Sequence, residues 1–405
     1  MRTPTWVVLP AVLVASLGLW AAAPGAHRTV AVGDVHGSID GLSKILRVAE
    51  LVDDDLKWTG GDATLVQLGD LLDRGVLLRE VIELLMRLQQ EAPASGGRVT
   101  VLLGNHETMN LLGITRDVNR DAYGEFVDQD SEDRRRQAFA TYTAFWRRRA
   151  AELGLDATIS AEAEEQWMEI HPLGFFEYVE AFGPNGRYGA WLRERPAAVV
   201  VDNTLFIHGG YGPFLTGVSV AEINSKVAAE IAEFDLMRAW MVAEGLALPW
   251  YSSQEMTREA QREVDAVAAM DPATVSAERR ERVDRLLIQW SDWYLNHPEG
   301  PFWFRGTARW NEDAGTPIIA DLLDDLGVVR QVVGHTPQAS QRIQPRFDDR
   351  VFLIDTGMLE AVYGGTPSAL EITGETVVAI YPEERQILVD CEIPPSPKGQ
   401  PTPNG

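Results

Sequence analysis

The chain has 405 residues, with 36 Lys and Arg against 60 Asp and Glu, a formal net charge of -24. Its hydrophobic share of 45% and charged share of 24% exclude a mainly disordered, collagen-like or polytopic membrane chain. A surface this acidic repels nucleic-acid phosphate, and any anion site on it needs local positive charge that metal ions can supply. Length sets a soft prior of two or three domains. The single cysteine, Cys391, leaves no intrachain disulfide and no multi-cysteine zinc site.

Residues 1–26 stand apart. Arg2 precedes an apolar run from Trp6 to Ala23, and Ala21, Ala22 and Ala23 offer a small-residue cleavage pattern, so this segment reads as a secretory signal peptide. Pro24 would obstruct that cut, and the run is also long enough for an uncleaved anchor that tethers the chain to a membrane. Both readings place the rest outside the cytoplasm: periplasmic, secreted, or anchored and facing out.

Thr29 to Val32 predicts a short buried strand ending in Gly33-Asp34-Val35-His36-Gly37. Ile39, Leu42, Ile45, Leu46 and Ala49 keep helical spacing, which predicts a helix over 38–51. Trp58 to Asp62 reads as a hairpin turn. A strand over 64–68 runs into Gly69-Asp70-Leu71-Leu72-Asp73-Arg74-Gly75, and a helix over 76–90 follows. A strand over 99–103 ends in Gly104-Asn105-His106-Glu107. From about 110 to 195 the pattern is helical and more polar. Strands return over 197–201 and 204–207, the second ending in His208-Gly209-Gly210. Helical patterns fill 219–297. A helix over 317–326 precedes a strand over 331–333 that ends in Gly334-His335-Thr336-Pro337. Further strands are predicted over 351–354, 368–372, 376–381 and 386–389. The expectation is one α/β domain over 27–392, with helical insertions near 110–195 and 219–297 and a Pro- and Gly-rich disordered tail over 393–405. Strands that run straight into glycine-opened polar clusters are typical of α/β enzymes whose sites lie at strand carboxyl ends.

Five such clusters carry the chemistry: Asp34 with His36, Asp70 with Asp73, Asn105 with His106, His208, and His335. Carboxylate, imidazole and amide oxygen together suit a borderline divalent ion such as Mn, Fe or Zn better than calcium. Asp34 and His36 are two apart, so in extended chain they share a side and can share one metal. Asp70 could bridge two metals with its two oxygens, and Asn105, His208 and His335 would complete the second. Two such ions clamp the attacking and leaving oxygens of a phosphoryl transfer and make hydroxide available near neutral pH.

The run Gly-Asp-x-His-Gly, Gly-Asp-x-x-Asp-Arg-Gly, Gly-Asn-His-Glu, His-Gly-Gly resembles the calcineurin-like metallophosphoesterases. The second and third motifs are similar to the phosphoprotein phosphatase branch, and longer stretches such as 58–75, 182–213 and 332–372 resemble the Shewanella-like protein phosphatases. The resemblance implies two packed mixed β-sheets flanked by helices, and two divalent metal ions, Mn first with Fe or Zn as alternatives. It implies Asp34, His36 and Asp70 on one metal, and Asp70, Asn105, His208 and His335 on the other. His106 would be the general acid, Asp73 its charge partner, and Arg74, Arg305 and Asn105 the phosphate contacts. Pro337 stands where many wider-family members carry a further metal histidine. The substrate would be a phosphorylated protein or a small phosphomonoester, attacked by a metal-bridging hydroxide. A diadenosine tetraphosphatase-like nucleotide hydrolase is the alternative enzyme, and a non-catalytic envelope binding module the alternative outside enzymes.

His27, His171 and His297 lack such company and stay unassigned. Other features read as structural. Glu107 reads as a hydrogen-bond acceptor, and the triplets Arg134 to Arg136 and Arg147 to Arg149 as solvated helix faces. The aromatic run Trp290, Trp293, Tyr294, Trp303 and Trp310 reads as core, with ring stacking on an aryl phosphate as the minor option.

Overall fold

Short apolar strands and amphipathic helices alternate where the hydrophobic periods place them. The structure, a computed structural model, describes residues 27–286 and 292–390. The leader or anchor expected over 1–26 and the tail expected over 393–405 lie outside the described residues. No helix among the described residues is long and apolar enough to cross a membrane.

The chain opens with β1 (Arg28–Val32), α1 (Ile39–Val48), β2 (Thr64–Gln67), α2 (Leu78–Glu91), β3 (Arg98–Val101) and α3 (Asn105–Leu111). The first helical stretch holds α4 (Ser131–Leu153), α5 (Ala161–Ile170), α6 (Phe175–Phe182) and α7 (Arg187–Arg193). β4 (Ala198–Val201) and β5 (Thr204–Ile207) form an antiparallel pair. The second stretch holds α8 (Val220–Ala243), α9 (Ser253–Ala268) and α10 (Ala277–Leu286). Ser219 with Glu222, and Ser252 with Glu255, close reciprocal capping boxes that start α8 and α9. Then come α11 (Gly306–Arg309), α12 (Glu312–Leu326), β6 (Arg330–Val333), β7 (Gln344–Arg346), β8 (Val351–Leu353) and α13 (Glu360–Tyr363). β9 (Ala369–Thr373), β10 (Thr376–Tyr381) and β11 (Glu384–Val389) end it.

Two mixed sheets result, ordered β11-β10-β9-β1-β2-β3 and β4-β5-β6-β8-β7. β1, β2 and β3 run parallel in the first, and β5, β6 and β8 in the second. Apolar side chains of both sheets, including Ala31, Val66, Leu102, Phe206, Val332, Phe352 and Leu370, form the layer between them. A second core lies under the helices and contains Leu42, Ile45 and Leu46 of α1. This is the sandwich flanked by helices that the motif resemblance implied.

Three local expectations differ. The helix expected from Pro317 starts at Glu312, because the Asn311 side chain caps it by accepting from the Ala314 N–H, and Pro317 sits inside. The helix at Asn105 and the short strand β7 carry too few residues for a periodic signal. Arg149 is not on a solvated face: it is 1% exposed and pairs with Glu263 at 3.2 Å and Glu259 at 3.7 Å. α9 covers it, so an arginine triplet read along α4 alone misses its partners.

Candidate active site

Six parallel strands end at one edge of the sandwich, and each is followed by a polar residue. Asp34 follows β1, Asp70 follows β2 and Asn105 follows β3; His208 follows β5, His335 follows β6 and Asp355 follows β8. All six are buried. The motif glycines permit the crowding: a Cβ on Gly69, where φ is +90°, would meet the Gly104 nitrogen at 2.3 Å, and one on Gly104 would meet Asp70 Oδ1 at 2.2 Å.

Asp70 stands at the centre. Its Oδ2 lies 3.7 Å from His36 Nε2, and its Oδ1 lies 3.4 Å from His208 Nε2. His36, Asp70 and His106 form one group of mutually close ligand atoms, and Asp70, His208 and His335 another, each within 4.8 Å. Asp34 falls in neither group and stands beside the second. Its oxygens accept the His335 backbone N–H at 3.0 and 3.1 Å. The extended geometry expected for Asp34 and His36 is not what unites them. β1 has already ended, and His36 adopts φ +49° while its N–H donates to the Asp70 carbonyl at 2.9 Å.

Hydrogen bonds fix the rings. His36 Nδ1 is 2.7 Å from the Leu72 carbonyl, and His208 Nδ1 is 2.8 Å from the Leu68 carbonyl. A carbonyl can only accept, so each Nδ1 carries a proton and each ring turns its Nε2 inward, where it is a lone pair whenever the ring is neutral. At His208 that lone pair would face Asn105 Oδ1 at 2.9 Å and Asp70 Oδ1 at 3.4 Å, both acceptors. A proton or a cation must sit among them. Neither nitrogen of buried His335 makes a well-formed hydrogen bond among the described residues. Two carboxylates, three imidazoles and an amide oxygen therefore fit borderline divalent ions.

Titration follows from the same crowding. Burial, then the charges of Asp355 and Asp70, push Asp34 well above the usual carboxylate range. Burial, with the Asp70 charge behind it, lifts Asp355 to about 6. Burial opposes charge on Asp70, yet the neighbouring His208 and His106 hold it well below its ordinary value. Burial drops His36 to about 4, and drops His335 well below its usual range with help from His208 and Arg305.

His106 goes the other way. Burial disfavours its charge, but the Asp70 carboxylate and the Asp73 hydrogen bond overcome that and raise it to about 9. Its Nδ1 meets Asp73 Oδ2 at 2.6 Å. The Asn110 amide donates to Asp73 Oδ1 at 2.9 Å, and the Tyr178 hydroxyl donates to Asn110 Oδ1 at 2.6 Å. A buried chain thus runs from α6 through α3 to the imidazolium.

Arg74 follows Asp73, both left-handed at φ +64° and +66°. Asp117 and Asn119 hold this turn. The Asp117 carboxylate pairs with Arg74 Nη1 at 3.3 Å, and its carbonyl accepts the Arg74 N–H at 3.0 Å. The Asn119 amide donates to the Arg74 carbonyl at 3.0 Å. Arg305 Nη1 donates to the His335 carbonyl at 2.8 Å and to Thr336 Oγ1 at 2.9 Å. Arg305 also lines an open cleft of about 560 Å³ with Met109, Arg116, Trp303, Arg309 and Trp310.

Every sequence-predicted site residue thus lies at or beside this centre. Sequence reading missed Asp355, Asn110, Asp117 and Tyr178, and also Tyr363, whose ring lies 5.6 Å from His36. Asp355 had a signal: Ile354-Asp355-Thr356-Gly357 repeats the pattern of strand, carboxylate and glycine. The other four sit on loops and helices without a motif of their own. The unassigned histidines have partners of their own: His27 Nε2 lies 2.9 Å from Thr64 Oγ1, His171 stacks on Trp167 at 4.2 Å, and His297 on Phe214 at 3.9 Å.

The calcineurin-like phosphoesterase model matches residues 27–339. The chain belongs to that family. Shewanella-like protein phosphatase 1 of Plasmodium berghei is 25% identical over 361 residues, 87% of this chain and 74% of that protein. Shewanella-like protein phosphatase 2 of Arabidopsis thaliana is 25% identical over 394 residues, 92% of this chain and 83% of that protein. The cold-active protein-tyrosine phosphatase of a psychrophilic Shewanella species shares the fold, with a TM-score of 0.56 at 21% identity over 90% of this chain and 81% of that one. Calcineurin-like phosphoesterases are hydrolases that use divalent metals, and the clustered His and Asp side chains here suit that use.

Proposed function

We propose that this phosphoesterase is a metal-dependent phosphomonoesterase acting on phosphorylated proteins. The carrying observation is that the two oxygens of Asp70 face two histidine half-sites, with the His106–Asp73 pair beside one of them. Asp34, His36 and Asp70 would hold one ion, and Asp70, Asn105, His208 and His335 the other, with Mn first and Fe or Zn as alternatives. Such ions neutralise phosphate charge and lower the pKa of a coordinated water to near neutrality.

The chain's own residues do the rest. Arg74, Arg305 and Asn105 hold the phosphate oxygens by charge-assisted and neutral hydrogen bonds. His106 keeps a proton on Nε2 and gives it to the leaving oxygen, while Asp73 holds Nδ1 and fixes the ring. The open cleft beside Arg305 leaves room for a body much larger than phosphate, with tryptophan walls for side chains flanking it. The apolar run over 6–23 supports export, which fractionation of the expressing cell tests.

The decisive assay gives the full chain phosphoserine, phosphothreonine and phosphotyrosine peptides and dinucleoside polyphosphates, with and without added Mn. Phosphopeptide turnover that stops on chelation is the expected result. Turnover of dinucleoside polyphosphates alone, or activity that survives complete metal removal, refutes the proposal.

A further inference from the structure

The open cleft beside Arg305 begins at the centre itself. Trp303 lines it and stands edge-on to His335, with ring centroids 5.9 Å apart. The Trp303 indole N–H donates to the Leu295 carbonyl at 2.9 Å, which holds this wall in place. The charges on the described lining are Arg116, Arg305 and Arg309 against Glu299. In a chain of net charge -24 that is a local reversal of sign, and such a spot draws anions.

The three arginines differ in what already holds them. Arg116 lies 3.3 Å from Asp117, which it shares with Arg74. Arg305 donates to the His335 carbonyl and to Thr336. Burial and then the charge of Arg309 lower its pKa, while Asp34, Asp70 and Asp355 of the centre favour its charge. Arg309 is exposed, and its side chain makes no hydrogen bond or ion pair among the described residues. Glu299, exposed as well, pairs with none of the three. Arg305 and Arg309 are four apart on one helical turn, the Arg309 N–H donating to the Arg305 carbonyl at 3.0 Å, so their side chains leave the same face.

We infer that Arg309 selects substrates with an acidic side chain two positions from the phosphorylated residue, the acid lying in the cleft on Arg309 while the phosphate is held at Arg305. The inference rests on the reading of this chain as a protein phosphatase. The spacing comes from geometry. One helical turn rises about 5.4 Å, and alternate side chains of an extended peptide share a side about 6.8 Å apart, whereas the adjacent one points away.

The test gives the full chain, with Mn, phosphopeptides carrying Glu, Gln or Lys two positions before or after the phosphorylated residue, on the phosphoamino acid it turns over fastest. In one of the two registers kcat/KM should favour Glu over Gln about fivefold, the size of one exposed ion pair, mainly through KM. The preference should shrink in about 0.5 M salt. Arg309→Gln should remove it, and Arg309→Glu should turn it towards the Lys peptide. Each variant is scored by a ratio of two peptides, so a general loss of activity does not imitate the result. Equal turnover of the Glu and Gln peptides in both registers overturns the inference and leaves the protein phosphatase reading standing. A preference that survives intact in Arg309→Gln also overturns it. Absence of any phosphopeptide turnover overturns both.

Discussion

Glu107 offers the sharpest test of how the centre is held. It is fully buried, and its carboxylate accepts four backbone N–H groups. Oε2 takes Asp70 at 2.7 Å and Gly104 at 2.8 Å; Oε1 takes Leu71 at 2.8 Å and Leu72 at 3.1 Å. These bonds keep Asp70 at φ +54°, a backbone that costs a non-glycine residue about 1–2 kcal/mol. Glu107→Gln replaces one oxygen by an NH₂ group. Whichever oxygen goes, two N–H donors then point at another donor. Each charge-assisted bond contributes about 1.5–3 kcal/mol, so losing two should cost about 3–6 kcal/mol. Relief of the repulsion between Glu107 and Asp70 offsets part of that. A domain with a total stability of about 5–15 kcal/mol would feel it strongly. Urea denaturation of metal-free protein, followed by circular dichroism, measures the loss. A change below about 1 kcal/mol with unaltered metal content would refute the reasoning, because the Asp70 turn would then hold itself.

Asp73→Asn should lower the His106 pKa from about 9, seen by NMR titration of metal-free protein. The folded value lies above the unfolded 6.5, so charging His106 beside Asp70 and Asp73 stabilises the fold fully below about pH 6.5 and loses its effect as pH rises through about 9. The whole shift is worth about 3 kcal/mol, of which Asp73 supplies a part behind Asp70, and equal destabilisation by Asp73→Asn at pH 6 and pH 10 would contradict that part. Asp70→Asn should weaken both metals together, as read by metal content after dialysis; full occupancy of either ion removes Asp70 as the bridge. Tyr178→Phe strands the buried Asn110 oxygen and should cost about 1–3 kcal/mol. It should also slow alkyl phosphates roughly threefold or more while nitrophenyl phosphate changes less, since poor leaving groups need the proton most; equal losses exclude a link to His106.

Much of the centre was legible because its parts come from strand ends. A strand running into glycine and a polar residue is a local pattern: Asp34, Asp70, Asn105 and His335 each follow such a glycine, and His208 stands between its strand and Gly209. What lay beyond reach was whatever needs two distant segments at once. Tyr178 meets Asn110 across 68 positions, and nothing in the sequence around Phe175–Phe182 distinguishes it from an ordinary buried helix. Asp117 likewise gains its meaning only from Arg74. The His36 turn was misjudged for a simpler reason. Alternation along a strand predicts side-chain direction only while the strand lasts, and β1 ends at Val32.

Assembly of the site and docking of the two sheets are one event. The layer between the sheets is apolar, so by itself it sets no register; such contacts are non-directional. Polar links at the carboxyl edge set it. His208, from the second sheet, ties to the Leu68 carbonyl beside β2 of the first. The His335 N–H ties to Asp34 beside β1. Gly33 lets these ends approach, since a Cβ there would lie 2.8 Å from the Ile354 carbonyl oxygen. His36, Asp70, Asp73, Arg74 and His335 all carry positive φ, and such strain persists only where the surroundings over-determine it. Ions at the proposed positions would draw together side chains from both sheets, so binding them would tighten the same interface whose register builds their site. Chelation should therefore lower thermal stability as well as activity, and a single cause would link the two losses.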